Sequence, residues 1–264
     1  MTTQALLDAV AGGLRVVDLG RMLTVGMPQS PNHPAYWHAH PRRHGDMVRA
    51  DGGSAANDMI SMGTHVGTHV DALSHVSQDG RLHQDRSMVE LGVHTITPMV
   101  RRGVLLDVPA TLGVDRLEAG QEITVADLEA TVARQGVAIG AGDVVLVRSG
   151  WGQHFDAGDG DTFRGLTTGV PGVSTAGATW LADHGVHAVG ADTIAFEMLS
   201  PGAGHGLLPA HRVLLVEHGI YIVETMALEE LAQAAIHEFL FVLSPLPLFG
   251  ATGSPVRPLA VVGA

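Results

Sequence analysis

The segment HVGTHVDALSH, residues 65–75, constrains this chain more than any other part of its sequence. It places three imidazoles and one carboxylate within eleven residues of a chain that is otherwise apolar and weakly charged. Each of these four side chains can bind a metal ion or transfer a proton. The segment therefore predicts a metal or catalytic site, with His65, His69, Asp71 and His75 as its candidate residues.

Geometry limits the backbone that this segment can adopt. As a continuous strand it would separate His65 from His69 by about 13 Å, four rises of roughly 3.3 Å. Two donors on one first-row metal ion must lie much closer, because their bonds to it are about 2.0–2.2 Å long. As a continuous helix it would bring both histidines to one face but turn Asp71 away from them. A shared ion therefore requires a bent or partly helical loop, and Gly63 and Gly67 supply the backbone freedom for it.

Length and composition predict one globular domain. A chain of 264 residues that is 45% hydrophobic and 16% charged can bury one large core. We therefore expect a single domain that spans residues 1–264. No run reaches ~18 uninterrupted apolar residues, so a transmembrane helix is not expected. The first residues contain no basic stretch, so a secretory signal is not expected either, and we predict a cytoplasmic location.

Charge and cysteine content exclude several classes of function. The net charge of −12 argues against nucleic acid or an anionic membrane as the main partner, because both attract basic surfaces. Without cysteine there is no disulfide framework, thiolate metal site or cysteine nucleophile. The 16 histidines outnumber the 15 lysines and arginines, which is consistent with metal ligation. A small molecule is the expected partner.

Strand and helix patterns alternate along the chain, which favours an α/β fold over an all-β or all-helical one. The apolar patterns predict strands at 14–19, 57–64, 103–108, 143–148, 186–189, 220–224, 238–243 and 256–262. Helix patterns with capping residues cover 124–135, 174–184 and 209–218. Between them, residues 26–46 carry four prolines, and this density predicts a loop without regular structure. The loop is a candidate for a pocket wall or for contact with a second subunit.

Other catalytic motifs are absent from the sequence. There is no G-x-S-x-G elbow, no phosphate-binding Walker loop and no H-E-x-x-H pair. What remains is the donor set of two imidazole nitrogens and one carboxylate oxygen from His65, His69 and Asp71. This set suits Zn, Mn or Fe(II) and leaves coordination positions open, as catalytic metal sites do. His75 is then either a further ligand or a general base.

The segment at 65–75 resembles the H-x-G-T-H-x-D-x-x-x-H signature of the cyclase family of metal-dependent hydrolases, which includes bacterial kynurenine formamidase and isatin hydrolase. Further segments in the family's style occur in the family's order, at 16–19, 145–151 (VLVRSGW), 189–192, 211–224 and 250–258. The resemblance implies a single α/β domain of the swivelling β/β/α type, with a mixed sheet and flanking helices. It also implies assembly as a homodimer or homotetramer.

The resemblance implies a role for each residue that matches the family's signature. His65, His69 and Asp71 match metal ligands, and His75 matches the proton-transfer residue. The expected cofactor is a divalent metal, Zn or Mn, with one or two ions per subunit.

Two residues far along the chain match a later family pair, His211 and Glu224. In two-metal members this pair completes the second metal site, whereas in single-metal members it faces the substrate. Both roles remain open from the sequence.

The expected reaction is hydrolysis of an amide, lactam or activated ester by a metal-bound hydroxide, with His75 as the general acid and base. A cyclase or dehydratase type of lyase could use the same residues, and a non-catalytic metal-binding protein could retain them.

The chain departs from the kynurenine formamidases in its early loop. Those enzymes carry a tryptophan before a proline that contacts the aromatic substrate, whereas Ser30 precedes Pro31 here. This departure argues against N-formylkynurenine as the substrate.

Overall fold

The computed structural model describes residues 2–263, in which strands and helices alternate along the chain. The strands are β1 (Leu14–Asp18), β2 (Trp37–Arg42), β3 (Asn57–Ser61), β4 (His69–Asp71), β5 (Met99–Asp107), β6 (Glu122–Ile123), β7 (Val144–Arg148), β8 (Gly172–Val173), β9 (Ala188–Ala191), β10 (Tyr221–Glu224), β11 (Glu238–Leu243), β12 (Gly253–Pro255) and β13 (Leu259–Gly263). The α-helices are α1 (Thr3–Ala11), α2 (Val108–Leu112), α3 (Val125–Gln135), α4 (Gln153–Asp156), α5 (Gly160–Arg164), α6 (Thr175–Asp183), α7 (Pro209–His211) and α8 (Glu229–Gln233). A π-helical segment, Arg212–His218, continues α7.

A nine-stranded mixed sheet organises the fold, in the order β1-β13-β11-β5-β7-β9-β10-β4-β12. The strands β5, β7, β9 and β10 run parallel to one another, and antiparallel strands extend the sheet on both sides. Because neighbouring parallel strands end at the same edge, their following residues meet there, and such edges commonly bind ligands. Glu224 ends β10 at this edge.

Both faces of the sheet are buried, which explains the uninterrupted apolar run of β7. Val145 and Val147 face one core together with α3, α6 and the π-helical segment. Val144 and Leu146 face a second core with residues of α8 and β11. A strand buried on both faces carries apolar residues at every position rather than at alternate ones. The mixed sheet with flanking helices confirms the predicted α/β class.

The helix α3 confirms its predicted capping signals. The Thr124 side chain accepts a hydrogen bond from the backbone N–H of Asp127, and the Asp127 carboxylate accepts one from the Thr124 N–H. Gly136 ends the helix with φ +64°, in the left-handed region that glycine adopts without strain. Likewise, Ser174 caps α6 through the Gly177 N–H, as predicted.

The prediction of a loop without regular structure at residues 26–46 is wrong for its second half. β2 lies there and pairs with β3 in a hairpin separate from the main sheet. Pro41 is within β2, where the pairing register shifts between Ala39 and Arg42. A proline is tolerated at such an irregularity in a two-stranded ribbon, because no regular ladder bond is lost.

Some elements were missed or misplaced. The helix α1, which Thr2 caps, was not predicted, although Leu6, Leu7 and Val10 lie at helical spacing, and none of its residues is buried. The strand expected at 186–189 lies at Ala188–Ala191, and the last strand begins at Leu259 rather than at 256. None of the helices within residues 2–263 has both the length and the hydropathy needed to cross a bilayer.

Candidate metal centre

The backbone of the histidine segment bends at Gly67, as the geometry requires. Gly67 has φ +67°, and an added Cβ would lie 2.4 Å from Cδ2 of Leu23. After the bend, His69 begins the short strand β4, which lies between β10 and β12. The antiparallel register with β10 places Glu224 opposite His69. The sheet thus brings together residues more than a hundred positions apart.

Asp71 lies at the centre of the buried cluster. Its side chain is fully buried, and Oδ1 is 2.7 Å from Nδ1 of His65 and 3.5 Å from Nε2 of His69. Its other oxygen, Oδ2, is 3.5 Å from Nε2 of His211 and has no hydrogen-bond partner. A buried carboxylate oxygen without a partner is costly unless a cation faces it.

Glu224 closes the cluster from the end of β10. Its Oε2 is 3.4 Å from Nε2 of His69, and its Oε1 is 3.2 Å from Nε2 of His211. Oε1 also accepts a hydrogen bond of 2.9 Å from the backbone N–H of Phe196. All six residues singled out by the sequence therefore lie in one cluster, since the ring of His75 stacks on that of His65 at 3.8 Å.

Converging donor atoms form two groups in this cluster. His65, Asp71 and His75 have ligand atoms within 4.8 Å of one another, and so do His69, Asp71 and Glu224. Asp71 belongs to both groups. The structure thus divides the predicted triad, because His65 and His69 belong to different donor groups that share the Asp71 carboxylate.

The hydrogen bonds behind the cluster fit a bound divalent ion. Nδ1 of His69 donates to the carbonyl oxygen of Gly67 at 2.8 Å, which leaves Nε2 free to face the carboxylates. Nδ1 of His211 contacts the carboxylate of Glu197, which likewise leaves Nε2 of His211 free to face Asp71 and Glu224. Metal-ligating histidines are usually held in this way through their second ring nitrogen. Together with the unpartnered oxygen of Asp71, this donor set fits a divalent cation.

Electrostatics also favour a cation between the carboxylates. Burial alone would raise the pKa of Asp71 and Glu224, but the neighbouring histidines outweigh it and lower both, that of Glu224 to about 2. Burial alone would lower the pKa of His69 and His211, but the carboxylates outweigh it and raise both. Two ionised carboxylates in a buried site are stable only beside positive charge.

His75 differs from the other histidines of the cluster. Burial lowers its pKa to about 4, although the charge of Asp71 opposes the shift. The imidazole is therefore neutral at pH 7 and can accept a proton. The pKa of His33 is also lowered, by burial and then by the charge of His65, whose ring lies 5.2 Å away.

Glu197 is a site residue that sequence reasoning missed. It is 2% exposed, and its Oε1 accepts hydrogen bonds of 2.7 Å and 3.3 Å from the backbone N–H groups of Ala210 and His211. It thereby anchors α7 where the chain passes into the π-helical segment, an irregularity common at functional sites. One signal was available, because Glu197 is an acidic residue in an otherwise apolar run, IAFEML.

The cluster opens into a cavity of about 210 Å³. One wall comes from the early loop, at residues 28–33, and includes the buried Ser30 and the ring of His33. Val76, Ile194 and Leu208 supply apolar surface. Trp37, in the loop predicted at 26–46, does not line this cavity and is 47% exposed on the hairpin.

Backbone strain occurs next to Glu224. Thr225, which lines the cavity, has φ +57°, a region that β-branched residues rarely adopt. Its carbonyl oxygen accepts a hydrogen bond of 2.7 Å from the Thr68 hydroxyl, which ties it to the bend at Gly67. Strained residues of this kind cluster at functional sites.

Comparisons with known proteins identify the family of this chain. The sequence model of the Cyclase family, described as "Putative cyclase", matches residues 17–198. Kynurenine formamidase of Geobacillus thermodenitrificans is 28% identical over 209 residues, 79% of this chain and 81% of that protein. Isatin hydrolase A from Ralstonia solanacearum has a TM-score of 0.79 and 27% identity, over 99% of this chain and 98% of that chain. A crystal structure described as a novel cyclase has a TM-score of 0.81 and 28% identity, over 98% of this chain and 93% of that chain. The chain belongs to the cyclase family.

Proposed function

We propose that this chain is a metal-dependent hydrolase that cleaves a small amide, lactam or activated ester. The observation that carries the proposal is that Asp71 is shared by two groups of converging donor atoms, beside the neutral imidazole of His75. Two relatives support the reaction class by their names, a kynurenine formamidase and an isatin hydrolase. A binding protein would not need an unpaired imidazole beside the carboxylate.

In this proposal His65, His69 and Asp71 would hold a divalent ion, with Asp71 shared between the two donor groups. His211 and Glu224 would hold a second ion or orient the substrate, and the sharing of Asp71 is compatible with one or two ions. Imidazole and carboxylate donors suit Zn or Mn. The chemistry that such an ion supplies is Lewis-acid activation of water and of the substrate carbonyl.

His75 moves the proton in this mechanism. Hydrolysis breaks the C–N bond, places a hydroxyl on the acyl carbon and leaves a proton on the departing nitrogen. A ring nitrogen of His75 accepts the proton of the attacking water and delivers it to that nitrogen. Stacking on His65 holds the imidazole in place. For an activated ester, the same proton goes to the departing oxygen.

Cavity size favours a small ring compound as the substrate. The cavity of about 210 Å³ exceeds the ~150 Å³ of a protein cavity that accepts benzene. Ser30 lines this cavity. By the family resemblance Ser30 stands in the place of the formamidase tryptophan, so the aromatic contact made there would be missing. A substrate other than N-formylkynurenine follows, with a compact aryl amide or lactam as the proposed class.

The proposal extends to the whole chain as one hydrolase domain, residues 1–264. In support of this, the main sheet joins β1, near the start, with β13, at the end. The family match ends at residue 198, whereas His211 and Glu224 lie beyond it. A homodimer or homotetramer in the cytoplasm remains the predicted state.

Metal removal tests the proposal. After dialysis against a chelator, we expect hydrolysis of N-formyl anilides and isatin to be lost, and added Zn or Mn to restore it. Metal counting on the restored protein gives the number of ions per chain. Full activity after complete metal removal would refute the proposal.

Isotopically labelled water distinguishes hydrolysis from a lyase or ring-closing reaction on the same residues. Hydrolysis must place one labelled oxygen in the acid product, which mass spectrometry detects. An unlabelled product from an active enzyme would assign the site to the lyase class instead.

A further inference from the structure

The hairpin of β2 and β3 carries a second cluster of potential metal ligands, away from the candidate metal centre. His38 and His40 on β2 and Asp58 on β3 have ligand atoms within 4.8 Å of one another. None of the three lines the cavity beside Asp71. The hairpin is a separate two-stranded sheet, so this cluster has its own scaffold.

Strand geometry explains why these side chains converge. Residues two apart on a strand point to the same face, so His38 and His40 project together. The register shift between Ala39 and Arg42 leaves both opposite the stretch of β3 that contains Asp58. The rings of His38 and His40 are 4.7 Å apart and nearly perpendicular, at 75°, so they do not stack face to face.

Distances within the cluster match the spacing of ligands on one ion. Oδ1 of Asp58 is 3.2 Å from Nε2 of His38 and 2.8 Å from Nε2 of His40. Tetrahedral ligands with bonds of about 2.0–2.1 Å lie about 3.3 Å apart. Without an ion, two imidazoles share one carboxylate oxygen at an exposed site, where such pairs contribute little stability.

We propose that His38, His40 and Asp58 form a separate divalent metal site on the hairpin, which binds an ion of the zinc class. The donor set is two nitrogens and one oxygen, and its net charge of minus one complements a divalent cation. All three side chains are exposed by a third or more, so solvent fills the remaining positions and the ion exchanges freely. The site is independent of the proposed reaction.

Ion binding has a structural consequence for the hairpin. Every residue of β3 is exposed, and isolated two-stranded hairpins are marginally stable. An ion held by two residues of β2 and one of β3 cross-links the strands. The hairpin lies in the chain between the cavity wall at 28–33 and the histidine segment at 65–75.

Zinc binding to the metal-loaded enzyme tests the proposal. In equilibrium dialysis with Zn²⁺, the wild-type chain should bind one ion more than the double variant His38→Gln/His40→Gln. Asp58→Asn should weaken this additional binding at least tenfold. Hydrogen exchange of residues 37–61 should slow on adding Zn²⁺ in the wild type and stay unchanged in the double variant.

His44→Gln is the matched control, because His44 is an exposed histidine between the two strands but outside the cluster. It should retain the additional ion. Equal ion counts for the wild type and the double variant would overturn the proposal. An equal loss in His44→Gln would also overturn it, because binding would then belong to a diffuse histidine surface.

Discussion

Among single residues, Asp71 is the one around which the histidines of the site gather. It is fully buried, three imidazoles lie within 3.5 Å of its oxygens, and one oxygen has no hydrogen-bond donor. The histidines around it differ in role because their second ring nitrogens differ in partner. His69 and His211 are held by a carbonyl and a carboxylate, whereas His75 is held by stacking. We therefore expect their variants to separate metal binding from turnover.

His75→Ala should retain the metal and lose turnover. Loss of a general acid and base typically costs about 10²–10⁴ in rate. The measurements are kcat for an N-formyl anilide and metal content per chain. His33→Ala is the control, since His33 also lines the cavity but belongs to neither donor group, and its kcat should fall far less. Loss of metal from His75→Ala would show that His75 is a ligand.

Glu197→Gln should weaken metal binding without unfolding α7. The glutamine oxygen can still accept from the backbone N–H groups of Ala210 and His211, but its amide N–H would face Nδ1 of His211. The imidazole must then carry its proton on Nε2, toward the carboxylates, and cannot ligate there. We expect metal affinity about 10–100-fold lower, measured by chelator competition.

A change of tautomer at His211, read from imidazole ¹⁵N shifts, would separate this positioning role from a purely structural one. Glu217→Gln, on the exposed part of the π-helical segment, is the control and should change neither the metal affinity nor the tautomer of His211. Unchanged metal affinity with a changed tautomer would assign His211 to the substrate, whereas an unchanged tautomer would contradict the role of Glu197.

At the scale of elements, the site depends on the bend between residue 65 and β4. The bend brings both His65 and His69 to Oδ1 of Asp71, and the pairing of β4 with β10 then adds Glu224. Thr225 is strained at the same place and is tied to the bend through Thr68. The bend at Gly67 and the end of β10 are therefore joined directly and position the ligands together.

Gly67→Ala should impair metal binding, whereas Gly136→Ala should not. The two glycines have nearly equal angles, φ +67° and +64°, so each variant carries a similar backbone cost of about 1–2 kcal/mol. A Cβ at Gly136 meets nothing within 4 Å, whereas one at Gly67 lies 2.4 Å from Leu23. Urea unfolding and metal affinity should both be measured. Equal metal affinity in the two variants would show that the bend does not position the ligands.

At the scale of the whole molecule, distant parts of the chain are joined by buried charge. The Arg21 side chain is 1% exposed, donates to the Met226 carbonyl oxygen at 2.9 Å and pairs with Asp156 and Glu229. Its backbone N–H donates to the hydroxyl of Thr68. These contacts join the segment after β1 to the histidine segment and to α8.

Arg21→Met should destabilise the protein far more than Arg15→Met. Both arginines link the start of the chain to α8, but the Arg15–Glu230 pair is about half exposed. Breaking a buried pair costs roughly 3–5 kcal/mol, whereas exposed pairs contribute about 0–1 kcal/mol. Urea unfolding at neutral pH measures both. Similar losses in the two variants would contradict the structural role of the buried pair.

The sequence by itself determined the fold class and identified residues 65–75 as the segment that carries the site. Periodicity and capping residues located α3, α6 and β7, because these elements are specified by local pattern and by burial on one or both faces. Ligand spacing predicted a bend, with Gly63 and Gly67 as the residues that permit it, and the structure has it at Gly67. The family resemblance added His211 and Glu224, whose local sequence does not distinguish Glu224 from the exposed Glu217.

Only the tertiary structure decided how these residues meet. The register of β4 with β10 sets Glu224 opposite His69, and the packing of α7 brings Glu197 behind His211. Strand β2 escaped prediction, although its partner β3 was predicted, because pairing between the strands outweighed the local effect of Pro41. Contacts between segments far apart in the chain depend on strand order and register, which local propensity does not encode.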